Sequence, residues 1–278
     1  MIIKRGWLIL IGLSIGAGWT QLAHASTTVK QSAITPVVAK KTYLTASQTG
    51  KLYQFQAAGE QVQLKAVHQL RNFPHTKWTC TQQTYLFKNG KKYLYYYVKN
   101  KTGKSGWVWH QYLKLTDVRL AVPLIGQRPQ LPTGCEITAT AMMLQYAGAK
   151  VTKMQLAKEM PRSSNPNRGF VGSPYNSVGW GHYVYPGGLM STVKRHVGTA
   201  VNLTGSRLPK LKQVVTNNHP VVTWMAGLDG FQTHSITVTG YSAKRIYYND
   251  PWTKQKTSLS NQQFITYWQK NQYRALSY

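Results

Sequence analysis

The stretch LPTGCEITATAMMLQYAG, residues 131–148, carries one of only two cysteines in a chain of 278 residues. Thr133 and Glu136 stand at capping-box spacing, which predicts a helix with Thr133 at its N-cap and Glu136 at the third helical position. Ile137, Ala141 and Leu144 follow at helical spacing, and Gly148 predicts the stop. Cys135 then lies in the first turn, where unpaired amides and the positive end of the helix dipole favour a thiolate. A nucleophile needs that position, and an inert buried thiol also fits it. A disulfide to Cys80 is the third option, although disulfide-dependent exported chains are usually small and cysteine-dense.

A nucleophilic thiol needs a base within hydrogen-bond reach and a group to orient that base. His68, His75 and His110 fall in a β-rich N-terminal half, His182 in a Gly-rich loop, His196 at a helix end and His219 in a turn before Pro220. His234 differs, because it opens HSITVTGY, an alternating run that predicts a strand. RIYYND, 245–250, follows directly. A hairpin closed by Tyr241-Ser242-Ala243 sets Val238 opposite Ile246, Ile236 opposite Tyr248 and His234 opposite Asp250, with Cβ atoms about 5 Å apart. A slip of one residue would bring in Asn249 instead. The chain has only six acidic residues. Glu136 is assigned to the cap and Glu159 to a helix face, and Asp229, in LDG, is the remaining rival. A plain polar pair at a sheet end is the non-catalytic reading of His234 and Asp250. No His-x-x-x-His or Cys-x-x-Cys spacing occurs, so neither a metal nor another cofactor is expected.

The elements that must position these groups divide the chain in two. Residues 43–117 alternate short aromatic and apolar runs with turns. TYLF and KYLYYYV flank Asn89-Gly90, a strong hairpin signal, and the strand spacing predicts a small all-β barrel. Cys80 fills an apolar strand position there. Residues 118–278 predict an α+β unit. Its helices lie at the cysteine and near 152–160, 188–197 and 207–217, ahead of strands at 220–226, 234–240 and 245–249. Ser260 caps a further helix in 258–270, and YRALSY closes the sheet. The long connection 164–187 is a candidate groove lining, with Trp180 as a contact. Residues 26–42 read as a tether, and residues 1–25 as a signal peptide cut before Ser26: a basic start, an apolar run too short to span a bilayer, and Ala23-His24-Ala25.

The formal charge of +28 draws the protein to polyanions. No nucleic-acid-binding signature accompanies it, so no specific nucleic acid is expected. In an exported chain the anionic partner becomes a cell-wall polymer or a membrane surface.

Two resemblances bear on this division. GKSGWVWHQYLK, 103–114, with KLYQF and the Asn-Gly hairpin, resembles the bacterial SH3-like and GW cell-wall-targeting modules. This implies wall binding, with Tyr95, Tyr96, Tyr97, Trp107 and Trp109 as either core or ligand platform. PQLPTGCEITATAMML, NPNRGFVGSPY, HSITVTGY and YYNDP, in that order, resemble the C39-like cysteine peptidases of papain-like fold. That resemblance implies Cys135 as nucleophile, His234 as general base and then acid, and Asp250 as its orienting group. It also implies an upstream glutamine at the oxyanion, Gln127 or, competing with it, Gln130, with Gln127 matching the family's position. Specificity for double-glycine leaders is not implied, since the leader peptidases' Asp-Cys-Gly is missing. The expected protein is a monomeric, secreted, wall-retained peptidase acting on peptides or proteins. The rival readings are a peptidoglycan cross-bridge or stem-peptide hydrolase and a non-catalytic wall-binding protein.

Overall fold

A computed structural model describes residues 28–178 and 182–278. The expected signal peptide and Trp180 lie outside the described residues. Among those described, no helix is long and apolar enough to cross a membrane.

The N-terminal unit is all strand: β1 (Thr28–Gln31), β2 (Thr35–Thr45), β3 (Lys51–Ala58), β4 (Gln61–Gln69), β5 (Lys77–Lys88), β6 (Lys91–Lys99), β7 (Ser105–Trp109) and β8 (Leu113–Arg119). β1 and β2 correct the tether reading: β1 pairs with β4 and β5, and β2 with β5 and β8. The β5–β6 hairpin turns at Asn89 and Gly90, both at positive φ, as that dipeptide permits. Leu52, Trp78, Cys80, Val98 and Val108 fill one small core, and Val29, Leu86, Tyr95 and Trp107 another. Tyr95 and Trp107 are therefore core residues, while Tyr96, Tyr97 and Trp109 are half-buried. Cys80 is a free thiol that burial pushes up to about 12.

The second unit follows as α1 (Cys135–Tyr146), α2 (Lys153–Glu159), α3 (Pro186–Val197), β9 (Val201–Asn202), α4 (Leu208–Thr216), β10 (Val221–Met225), β11 (His234–Ser242), β12 (Arg245–Asp250), β13 (Gln255–Ser260), α5 (Asn261–Lys270) and β14 (Ala275–Ser277). The expected α+β organisation is present, with α5 capped by Ser260 and Gln263 and the C-terminal strand β14 paired to β10. Every α1 residue from Cys135 to Leu144 is buried. A helix buried on every side lies inside the core rather than on its surface, and α1 packs against β11, where the Thr237 hydroxyl donates to the Ala139 carbonyl at 2.9 Å.

β8 joins the two units. It pairs with β2 on one side and β11 on the other, so the strands run on as one sheet. Gly240 faces Arg119 at this seam, and a Cβ there would overlap the Val118 carbonyl oxygen. Only glycine permits that approach.

Candidate active site

Cys135 is the first residue of α1, but the expected capping box is not formed. Gly134 is the N-cap, with no side-chain bond to the first turn. The Thr133 hydroxyl instead donates to the carbonyl oxygens of Ser173, at 2.7 Å, and Asn176. Glu136 turns inward. It is fully buried, its Oε2 accepts from the Cys135 thiol at 3.2 Å, and its Oε1 accepts from the Val184 amide at 3.4 Å. Burial outweighs these bonds and raises the Glu136 carboxyl to about 7. Burial first, then the neighbouring Glu136 carboxyl, push the Cys135 thiol well above its ordinary range, while the Ser235 and Glu136 amides act in the opposite direction. Both cysteines are free, which removes the disulfide option.

The Ser235 amide at the sulfur follows His234 directly in β11. The beginning of the strand therefore meets the beginning of the helix. The β11–β12 register differs from the expected one by two residues: Val238 faces Tyr248 and Thr237 faces Asn249, with a bulge before Gly240. An even shift keeps every side chain on its face. Asp250 remains on the face of His234 as a diagonal neighbour, and its Oδ1 lies 2.9 Å from His234 Nε2. Both residues are only 2% exposed. Asn249 turns to the opposite face, where its amide donates to the Pro123 carbonyl at 2.9 Å and packs on Met142 of α1.

Asp250 Oδ1 also accepts from the Trp252 amide at 2.8 Å. Burial alone would raise this carboxyl, but the hydrogen bond and charge of His234, with the Trp252 amide, bring it down to about 2. The Phe231 ring lies tilted against the imidazole at 5.2 Å between centroids, and Trp252 crosses Phe231 edge-on at 5.1 Å. This apolar wall limits water around the pair. Because Nε2 is held by Asp250, Nδ1 is the ring nitrogen left for proton transfer.

The two glutamines separate clearly. Gln130 is exposed, and its Oε1 accepts from Lys153 at 2.8 Å. Gln127 is buried. Its amide N–H donates to the Pro251 carbonyl at 2.8 Å, and its Nε2 donates to the Pro132 carbonyl at 2.8 Å, three residues before Cys135. Its Oε1 has no partner among the described residues. Gln127 thus spans from the strand end carrying Asp250 to the turn leading into Cys135. Elsewhere in this unit His196 binds Glu159 at 2.8 Å, the His219 ring packs tilted against Tyr278, and His182 Nδ1 lies 3.0 Å from the Ser173 carbonyl oxygen.

Asp229 is the additional member of the site. It is exposed, sits at positive φ, and one of its oxygens lies within 4.8 Å of ring and carboxylate atoms of His234 and Asp250. Burial and the bond and charge of Asp250 raise its carboxyl, while His234 lowers it. These three residues could hold a divalent cation. They come from separate elements, so no ligand spacing announced them in the sequence.

Residues 119–276 match the Peptidase_C39 like family over more than half of the chain. The chain belongs to the C39-like peptidase family. It is 31% identical over 172 residues to YvpB of Bacillus subtilis strain 168, a protein of uncharacterised activity, covering 51% of this chain and 67% of that one. A solved structure from Bacillus anthracis, assigned to the C39-like peptidases, shares 32% identity with a TM-score of 0.54, over 57% of this chain and 94% of its own. The family match includes Cys135, His234 and Asp250, and begins at Arg119, the end of β8. Membership suggests a cysteine peptidase acting on protein substrate.

Proposed function

We propose that the chain is a secreted thiol peptidase retained at the cell wall, with Cys135, His234 and Asp250 as its catalytic triad. The observation carrying this reading is the buried His234–Asp250 pair at the strand end that meets the helix end bearing Cys135. The Cys135 thiol passes its proton to His234 as the sulfur attacks a peptide carbonyl to form a C–S bond, and the oxyanion is held by the Cys135 amide and the second Nε2 proton of Gln127. Collapse breaks the C–N bond while His234 gives a proton to the leaving amine. Water then adds to the thioester with His234 as base, releasing the acid and restoring the thiol. Asp250 fixes the ring tautomer throughout.

Retention at the wall rests on the strongly basic charge, +28 over the whole chain of which the expected signal peptide carries only Lys4 and Arg5, and on the N-terminal unit, read as SH3-like. That unit carries a groove of about 360 Å³ lined by Tyr53, Phe55, His68, Tyr97, Lys104 and Trp107, with Phe55 and Trp107 stacked at 4.9 Å. Aromatic faces beside a lysine suit a wall glycan or peptide. A peptide library incubated with wild type, Cys135→Ala and His234→Ala tests the chemistry: cleavage by wild type alone supports it, and equal cleavage by Cys135→Ala overturns it. Wild-type release of wall fragments would point to a cross-bridge or stem-peptide substrate. Wall retention without a reactive thiol would leave a binding protein.

A further inference from the structure

We propose that Glu136 sets the protonation state of the nucleophile: Cys135 and Glu136 share one proton and carry one negative charge between them, so that an ionised Glu136 keeps Cys135 resting as a thiol. This deepens, and rests on, the reading of Cys135 as the nucleophile. The mechanism above does not use Glu136, yet its carboxyl is the side chain bonded to the sulfur, at 3.2 Å, and it is fully buried. Two adjacent anions are strongly disfavoured away from water. The pair can exist as thiol with carboxylate, or, after the Sγ proton moves to Oε2, as thiolate with carboxylic acid. Charge and protons balance within the pair, with no other reactant.

The surrounding groups leave this exchange to the pair itself. From α1 the only ionisable partners are Cys135 and Glu136. From β11 come the Ser235 amide and the preceding His234, whose Nε2 is bonded to Asp250. The 183–185 stretch supplies the Val184 amide, flanked by the phenols Tyr183 and Tyr185, whose rings pack tilted at 5.3 Å, and Arg274 lies over the Tyr185 ring. Among the described residues, no lysine or arginine acts on either member. Val184 also ties Glu136 to the 164–187 connection, and its carbonyl accepts from Trp224 Nε1 at 2.8 Å. The carboxyl is thereby fixed against the sulfur.

The test is the alkylation rate of Cys135 by iodoacetamide across pH, followed by mass spectrometry with buried Cys80 as internal control. No peptide substrate is involved, so a negative result is distinguishable from failure of the peptidase reading. In wild type the logarithm of the rate should rise, flatten above about pH 7 as Glu136 ionises, and rise again at higher pH. Glu136→Gln keeps an acceptor for Val184 and removes the competing charge. Its profile should show a single step and at least about 10-fold faster alkylation at pH 7, because a thiol that ionises one pH unit lower carries about tenfold more thiolate. Superimposable profiles would overturn the proposal. If Glu136→Gln does not fold, the wild-type profile decides alone: two steps support the shared proton and one step overturns it.

Discussion

His234 Nε2 and Asp250 Oδ1 lie 2.9 Å apart, both 2% exposed, although the two residues are diagonal rather than opposed in the β11–β12 hairpin. Asp250 is fixed further by the Trp252 amide, so the imidazole meets a carboxylate that is already oriented. Asp250→Asn should therefore lower peptide turnover by roughly 100-fold or more, the scale of a misoriented general base. Asp229→Asn, at the exposed edge of the same cluster, should leave turnover within a few-fold. Steady-state kinetics on both variants separate the two carboxylates, and an equal loss in both would place Asp229 in the triad.

The same pair has an acid limit. The Asp250 carboxyl is held at about 2, below its ordinary value of 3.8. A depressed carboxyl contributes stability that is present above the unfolded-state value and lost as pH falls through the folded one. The contribution is about 2 kcal/mol, at about 1.36 kcal/mol per pH unit. Urea unfolding at pH 6 and pH 2.5 should show a smaller acid loss in Asp250→Asn than in wild type.

Gln127 and Gln130, three residues apart, make opposite predictions. Gln127 bridges Pro251 and Pro132 from a buried position, whereas exposed Gln130 binds Lys153. Gln127→Ala should cost about 100-fold in kcat with little change in KM, the scale of one lost oxyanion donor. Gln130→Ala should cost less than about threefold, as exposed contacts do. Reversal of that order would move the oxyanion role to Gln130.

The seam at Gly240 can be probed without touching the site. A Cβ at 240 meets the Val118 carbonyl oxygen, so Gly240→Ala must push β8 from β11 or distort the bulge. Such overpacking typically costs about 1–3 kcal/mol. A fall in Tm of several degrees, with Cys135 alkylation unchanged, is the expected result. An unchanged Tm would show that the strand junction is loose in solution.

The sequence made some features readable and hid others, for physical reasons. Side-chain alternation has period two, so the hairpin placed Asp250, rather than Asn249, on the face of His234 despite a register error of two residues. The turn is wider than the expected three-residue loop, pairing Tyr241 with Ile246, and the bulge before Gly240 removes one residue of that offset and leaves the even shift of two. Thr-x-x-Glu is a sound capping pattern, but buried contacts to Cys135 and Val184 took Glu136 from its expected place. Residues 28–31 and 35–42 read as part of a tether because their aromatics are few. Their pairing partners lie far along the chain, beyond the reach of a local window.

Glu136 should also leave a signature in folding stability. Its carboxyl is raised from an ordinary 4.5 to about 7 by burial. A group raised in the folded state contributes stability that is full below its unfolded value and lost as pH rises through its folded value. Wild type should therefore lose about 3 kcal/mol between pH 4.5 and pH 7 from this group, at about 1.36 kcal/mol per pH unit. Glu136→Gln has no proton to lose there, so its stability relative to wild type should climb across that window and level off above it. Chemical denaturation at half-unit steps of pH measures the difference directly. A difference that stays flat across that window would mean that Glu136 titrates as an ordinary solvated carboxyl, which its buried contact with the Cys135 sulfur does not allow.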